Sequence, residues 1–239
     1  MRFQTALRLI YPAHCITCNA LVEEDFALCG PCWRDTSFIS GATCCTCGAS
    51  LPGSEAAPDL TCDDCMQIAR SWSRGWSALN YTGNGRKLVL SLKHGDRTEL
   101  ARPAAAWMAA RLPQLADDTL IVPVPLHWLR YLRRRYNQST LLAQRLADLT
   151  GFDCLPNALN RKTATETLDG KTKDDRFQIL SGVITTNPKL PDPLAGKSIL
   201  LVDDVMTSGA TLAACAEACK EAGARNVDIV TLARVGKDA

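Results

Sequence analysis

The sequence predicts an α/β protein in which a parallel sheet flanked by helices follows a small cysteine-rich module. Three observations carry this. Nine of the twelve cysteines crowd between Cys15 and Cys65. Beyond Ser71, strand patterns alternate with amphipathic helical ones, which indicates a doubly wound sheet. Lys197 to Val202 reads as a strand covered on both faces, with Ile199 to Val202 continuously apolar. The chain therefore divides at residue 70, with the module over 1–70 and the α/β domain over 71–239.

Element by element, Trp72 to Tyr81 reads as a strand, Gly83-Asn84-Gly85 as a turn and Arg86 to Lys93 as a helix. A longer helix covers Glu99 to Leu112. Thr119 to Pro125 is a buried strand that its prolines terminate, and Ser139 to Leu149 is a helix. Asn160 to Arg176 is polar and charged with little apolar periodicity, the composition of a mobile loop. After the Lys197–Val202 strand, Ala210 to Ala222 forms a helix ending at Gly223, where a left-handed cap suits glycine. Val227 to Val235 is the last strand. Cys154, Cys215 and Cys219 are expected to pack in the core.

Composition excludes several classes. With 46% hydrophobic and 22% charged residues the chain is globular rather than disordered. No apolar run approaches the roughly 20 residues of a membrane span, so membrane insertion is not expected. Met1 to Tyr11 is amphipathic (Phe3, Leu7, Ile10) and reads as a short helix rather than an export signal. Cysteines without an export signal point to metal-held thiols and a cytoplasmic location. The net charge of +2 hides an asymmetry: residues 1–70 hold 4 basic and 8 acidic side chains, residues 71–239 hold 23 and 17.

Eight of the crowded cysteines form four C-x-x-C pairs, Cys15/Cys18, Cys29/Cys32, Cys44/Cys47 and Cys62/Cys65. Each pair can curl both thiolates onto one ion, and two pairs close a tetrahedral shell, so the four suit two structural Zn²⁺ ions. Sequential pairing is the default and an interleaved one stays open. Cys45 is expected to pack or lie exposed, and His14 to face solvent. A span this short buries little core, so metal binding carries much of its folding. Eight thiolates with two zinc ions add negative charge to an acidic segment, which favours a partner-binding or architectural role over direct contact with DNA phosphates.

The sharpest chemical signal is Ile199-Leu-Leu-Val-Asp-Asp-Val-Met-Thr-Ser-Gly-Ala-Thr211. An apolar strand delivers Asp203 and Asp204 at its carboxyl end, and a short loop of Thr207, Ser208 and Gly209 leads into the helix at Ala210 and Thr211. Amides at a helix start, with hydroxyls beside them and a glycine allowing close approach, make a phosphate cradle. Acids beside an anion site make sense when the ligand also carries hydroxyls or a metal, as a phosphorylated sugar does.

This element resembles the signature by which type I phosphoribosyltransferases bind phosphoribosyl pyrophosphate (PRPP). Together with the four cysteine pairs, Tyr81-x-Gly83, Leu92-Lys93, Val122-Pro-Val-Pro-Leu126 and Arg135-Tyr-Asn-Gln138, it occurs in the order seen in the competence protein F (ComF, GntX-like) family. The resemblance implies a double zinc ribbon fused to a type I phosphoribosyltransferase fold of the amidophosphoribosyltransferase kind. It also implies a link in some members to competence and DNA uptake or use. Asp203 and Asp204 would hold the ribose hydroxyls and stand beside the developing anomeric charge. Thr207, Ser208, Gly209, Ala210 and Thr211 would hold the 5′-phosphate, and Arg134 and Arg135 the pyrophosphate that enters with Mg²⁺. The sequence departs from the family at Arg135, where glycine is frequent, and in the charged loop, where Thr163-Ala-Thr-Glu166 and Arg176 stand.

His127 to Arg135 brings four arginines within six residues, with Trp128, Tyr131 and Tyr136 interleaved. Guanidinium groups pair bidentately with phosphate oxygens and aromatic rings stack on bases, so pyrophosphate and single-stranded DNA are both candidate partners; a solvated basic face is the plain alternative. Asn137, Gln138 or Ser139 is expected to cap the next helix. Lys93 and His94 are expected to satisfy the carbonyls that end theirs. Two function classes follow. One is a phosphoribosyltransferase acting on PRPP or a related phosphopentose. The other is a non-catalytic binder of such a ligand, of single-stranded DNA or of a DNA-processing protein.

Overall fold

The structure is a computed structural model that describes residues 11–53, 59–127, 135–161, 182–190 and 192–236. Met1–Ile10, residues 162–181 (which include most of the segment read as a mobile loop) and the arginines 130, 133 and 134 lie outside the described residues. Seven strands are described: β1 (Gly75–Asn80), β2 (Thr119–Pro123), β3 (Asp153–Cys154), β4 (Leu159–Arg161), β5 (Ile184–Thr186), β6 (Ser198–Met206) and β7 (Asn226–Arg234). Six α-helices join them: α1 (Gly30–Arg34), α2 (Asp63–Gln67), α3 (Gly83–His94), α4 (Ala101–Ala109), α5 (Gln138–Thr150) and α6 (Ala210–Glu221).

Five strands form one parallel sheet in the order β1-β7-β6-β2-β3. Alternation along β6 explains the layers, because successive side chains leave a strand on opposite faces. Leu200 and Val202 join Leu88, Leu92, Met108, Leu142 and Leu146 on the face covered by α3, α4 and α5. Ile199 and Leu201 join Leu212, Cys215 and Cys219 of α6 on the other. Cys215 and Cys219 are fully buried there, and Cys154 is half-buried at the edge of the first cluster.

The cysteine-rich module straddles the β1 edge. Residues between its halves pair with that strand: Ile39 N–H donates to Ala78 O (2.9 Å) and Asn80 N–H to Ser37 O (2.9 Å). This covers an edge that would otherwise offer unpaired backbone groups. The first half packs Ile16, Phe26 and Leu28 over the α3–α4 face, with the Arg102 guanidinium 5.2 Å from the Phe26 ring. The second half places Cys44 and Cys47 in the core beneath α6, in one cluster with Trp72.

Several boundaries differ from the sequence reading. Gly83-Asn84-Gly85 is the first turn of α3, not a separate turn. Glycine's low helix propensity hid this. The helix start folds back against β1, where a Cβ on Gly85 would collide with Asn80 O, and buried Asn84 donates to Cys32 O (3.2 Å). The Glu99–Leu112 helix is a 3₁₀ turn (Thr98–Leu100) followed by α4. Asn160 and Arg161, read as the start of a mobile loop, pair with β5 in a two-stranded hairpin. Trp72 precedes the strand it was read into and serves as an anchor, its Nε1–H donating to Thr46 O (2.6 Å).

Candidate functional site

The four cysteine pairs build two clusters, Cys15/Cys18/Cys29/Cys32 and Cys44/Cys47/Cys62/Cys65, each with its sulfurs within 4.8 Å of one another. Pairing is thus sequential. The halves repeat one design. Asn19 N–H donates to Cys15 O (2.9 Å) and Gly48 N–H to Cys44 O (2.8 Å), with Asn19 (φ 65°) and Gly48 (φ 67°) in the left-handed region that turns the knuckle. The second pair of each half opens a short helix, α1 or α2. Sulfurs 3.5 Å apart at Cys18–Cys29 and 3.6 Å at Cys47–Cys62 are near the roughly 3.8 Å edge of a tetrahedron with 2.3 Å Zn–S bonds.

The thiol chemistry fits as well. Hydrogen bonds from Cys47 and Cys65 hold the Cys44 thiol far below its usual range, while the contact with Cys44 pushes Cys65 up. Four sulfurs this close compete for one negative charge, and a divalent cation relieves the competition. All four coordination positions are protein sulfur, so the zinc is structural. Cys45 stands apart, half-buried beside Thr46 and Thr61, and His14 is exposed.

The strand order reverses between β2 and β6. The chain leaves β2 for β3 on one side and β6 for β7 on the other, and open α/β sheets bind ligands at the carboxyl ends of such strands. Asp203 and Asp204 lie near that end of β6. Asp203 Oδ1 accepts from Ser139 Oγ (2.8 Å), at the start of α5, and from Asp204 N–H (2.9 Å). Burial, then the Asp204 charge, push Asp203 up to about 7, against the opposing pull of Lys93 and Ser139. Asp204 is paired with Lys93 (Nζ to Oδ1, 3.0 Å), the last lysine of α3. Burial works against the Lys93 charge, but Asp204 and Asp203 outweigh it and hold its pKa above the usual value. The expectation that Lys93 only satisfies helix-end carbonyls is therefore corrected: two facing carboxylates are a stronger partner.

Beyond the acids, Thr207, Ser208, Gly209, Ala210 and Thr211 line a shallow depression with Asp203, about 30 Å³ in volume. That holds an anionic group, not a whole sugar. Thr207 is exposed, Thr211 half-buried, and Ser208, Gly209 and Ala210 are buried. Gly209 (φ 84°) is the N-cap of α6 and brings no side-chain acceptor; Ser208 Oγ accepts from Ala210 N–H at 3.4 Å, which leaves the amides of Thr211 and Leu212 as the first-turn donors for a ligand. Of the expected pyrophosphate arginines, Arg134 lies outside the described residues and Arg135 is exposed with φ 66°. Asn137 caps α5 by accepting from Ser139 N–H (3.1 Å), which also sets Ser139 against Asp203. A larger cavity of about 310 Å³ opens at the amino ends of the strands, lined by Trp76, Leu115 and Asp228 among others. It lies far from the acids and the loop.

Sequence reasoning did not single out Ser139 as an Asp203 partner or Arg70 and Arg234 as supports of the loop. Arg70 Nη1 donates to Ser208 O (2.6 Å), and the buried Arg234 donates to Thr207 O (2.8 Å) and Met206 O (3.2 Å). Lys93 did carry a signal, since Leu92-Lys93 was among the family motifs.

Comparison with known proteins agrees with this architecture. Residues 6–66 match the double zinc ribbon domain and residues 133–239 the phosphoribosyl transferase domain. A double zinc ribbon joined to a type I phosphoribosyltransferase fold is the class that fold and site define. The chain is 33% identical over 233 residues to the DNA utilization protein YhgH of Salmonella typhimurium and 30% identical to that of Escherichia coli K12, covering 95% of this chain and 99% of each relative. It is 28% identical to competence protein F of Haemophilus influenzae, over 72% of this chain and 78% of that one. The chain belongs to this ComF/GntX-like family. The glutamine PRPP amidotransferase of B. subtilis aligns with 18% identity and a TM-score of 0.40, over 60% of this chain and 30% of that longer one. No helix among the described residues is long and apolar enough to cross a membrane.

Proposed function

We propose that the carboxyl end of β6 binds PRPP or a related phosphopentose. Asp203 and Asp204 accept from the ribose diol, and the Thr207–Thr211 loop holds the 5′-phosphate through backbone amides and hydroxyls. Arg134 and Arg135 meet the pyrophosphate. The observation that carries this reading is the amino end of α6, entered through left-handed Gly209, which brings no capping side chain of its own, within one depression with Asp203. An anion cradle beside two acids suits a ligand that is phosphate at one end and hydroxyl at the other.

Under this reading the reaction is phosphoribosyl transfer. Mg²⁺ bound with the pyrophosphate would supply neutralisation of the leaving group's charge. The chain's own residues do the rest: the loop fixes the phosphate end, the acids fix the diol, and their negative field favours charge developing at the anomeric carbon. No side-chain nucleophile is required. Lys93 pairs with Asp204 at 3.0 Å and is placed to re-pair as ligand enters. The names of the relatives support a role in using DNA; a cytoplasmic location, and an architectural or partner-docking part for a ribbon over 1–70, belong to the same reading.

Titration calorimetry with PRPP and Mg²⁺ tests the site. Micromolar binding lost in Asp203→Ala and Asp204→Ala supports it, and no uptake of PRPP or ribose 5-phosphate by the wild type rejects it. Pyrophosphate release with an acceptor separates an enzyme from a non-catalytic binder. A second reading, single-stranded DNA binding through the basic run, rests on the four arginines between Arg130 and Arg135. Oligonucleotide affinity falling steeply with salt and mapping to those arginines would favour it.

A further inference from the structure

The second sulfur cluster sits against the phosphate loop, and Arg70 bridges them. This residue leaves the cluster five positions after Cys65. Its guanidinium donates to Ser208 O at 2.6 Å, and it lies close enough to Cys65 to favour the thiolate there. It also lies 5.4 Å from the centre of the Trp72 ring. Trp72 is itself pinned by its bond to Thr46 O, within the Cys44–Cys47 knuckle. Around Gly209 the fit leaves no slack: an added Cβ would lie 2.9 Å from Trp72, 3.0 Å from Arg70 Nη1 and 2.7 Å from Met206. A parallel route runs through Arg234, which holds Met206 O and Thr207 O and whose charge bears on Cys47. The first cluster has no such route among the described residues; it packs over the opposite face of the sheet.

The Ser208 carbonyl precedes the left-handed Gly209. Rotating that peptide would move the first amides of α6 away from a bound anion. Arg70 fixes the peptide with a charge-assisted bond. Its own position is set by the indole face of Trp72 and by its place five residues after Cys65, a sulfur of the cluster that would hold zinc.

We propose that Arg70 is a positioning residue through which the second zinc cluster holds the anion-binding loop in its ligand-ready shape, so that zinc in that cluster and a phosphorylated ligand bind cooperatively. By linkage the effect is reciprocal: zinc favours ligand, and ligand retains zinc. The second half of the proposal rests on the phosphoribosyl reading of the site; the first half does not.

The test uses the full zinc-loaded chain, wild type, Arg70→Met and Arg70→Lys, each checked for two zinc ions per chain. In ligand-free protein, hydrogen exchange at the 207–211 amides is expected to speed up about tenfold in Arg70→Met, with partial recovery in Arg70→Lys and no change in α5. Ribose 5-phosphate affinity by calorimetry is expected to fall about tenfold in Arg70→Met, within the 5–150-fold range usual for coupled sites. Saturating ribose 5-phosphate is expected to slow chelator removal of one zinc ion, not both, in the wild type. Unchanged exchange in Arg70→Met overturns the positioning role. Unchanged ligand affinity in that variant, with the wild type binding normally, overturns the coupling. If the wild type takes up no phosphopentose while exchange still accelerates, the phosphoribosyl reading falls and the structural link stands. Should Arg70→Met not retain two zinc ions, Arg70→Lys, which can donate only as a point charge, carries the same comparison.

Discussion

Asp203 is held in a place that, on the proposed reading, suits ligand binding better than stability. Its pKa rises from 3.8 unfolded to about 7 folded because burial and Asp204 disfavour its charge. A carboxyl shifted this way binds its proton more tightly in the fold. Stability therefore declines as pH climbs from about 4 towards 7, and the full penalty persists above that. Asp203→Asn keeps an acceptor for Ser139 Oγ and removes the charge. It is expected to raise stability by roughly 1–3 kcal/mol at pH 8, with the difference vanishing near pH 4, while phosphopentose affinity drops at least tenfold. Urea denaturation at the two pH values checks this, and a variant less stable than wild type at pH 8 would contradict it. Arg135 makes a similar trade in the backbone. Its φ of 66° is a left-handed conformation in which the family often has glycine. Arg135→Gly is expected to stabilise the chain by about 1 kcal/mol and to weaken PRPP binding if its guanidinium meets pyrophosphate. Equal or lower stability by urea midpoint would show that the conformation carries no strain.

Among the elements, glycine decides how the ribbon meets the sheet. Gly75, first in β1, donates to Cys45 O (3.0 Å), and a Cβ there would lie 2.5 Å from Thr46 O and 2.8 Å from Ile229 Cγ1. Gly75→Ala forces the second knuckle off the strand and is expected to cost about 2–3 kcal/mol. Gly30→Ala in α1, with nothing within 4 Å of the added atom, is expected to be neutral or slightly stabilising. Equal urea midpoints for the two variants would reject the close-packed junction. These contacts also show where sequence reading reached and where it stopped. The zinc pairs, the order of strands and helices and the acid–loop–helix element were legible because each is local: metal spacing, apolar period and a strand-to-helix turn all sit within short windows. The helical Gly83–Gly85 start, the Lys93–Asp204 pair and the Arg70 bridge depend on neighbours far along the chain, 111 positions from Lys93 to Asp204 and 138 from Arg70 to Ser208. Spacing rules carry no information at that range.

For the molecule as a whole, the two clusters act as clamps on opposite faces of one sheet. Without residues 1–70, the β1 edge loses its pairing with residues 37–39, and Leu79 and the Trp72 side of the α6 core lose their cover. A parallel edge with open backbone groups and a bared core is prone to association. Zinc binding should therefore register in the stability of the entire α/β domain, not just in the module, because ions that bind only the folded state stabilise whatever folds with them. Stripping zinc with a chelator is expected to abolish the near-ultraviolet circular dichroism of Trp72 and Trp76 and to lower the melting temperature of the whole chain in a single transition. The fragment 71–239 is expected to be aggregated or molten. A fragment that melts cooperatively within a few degrees of the full chain would show that the sheet closes its own edge. The ribbon would then be a docking module and not part of the scaffold that holds the phosphate loop.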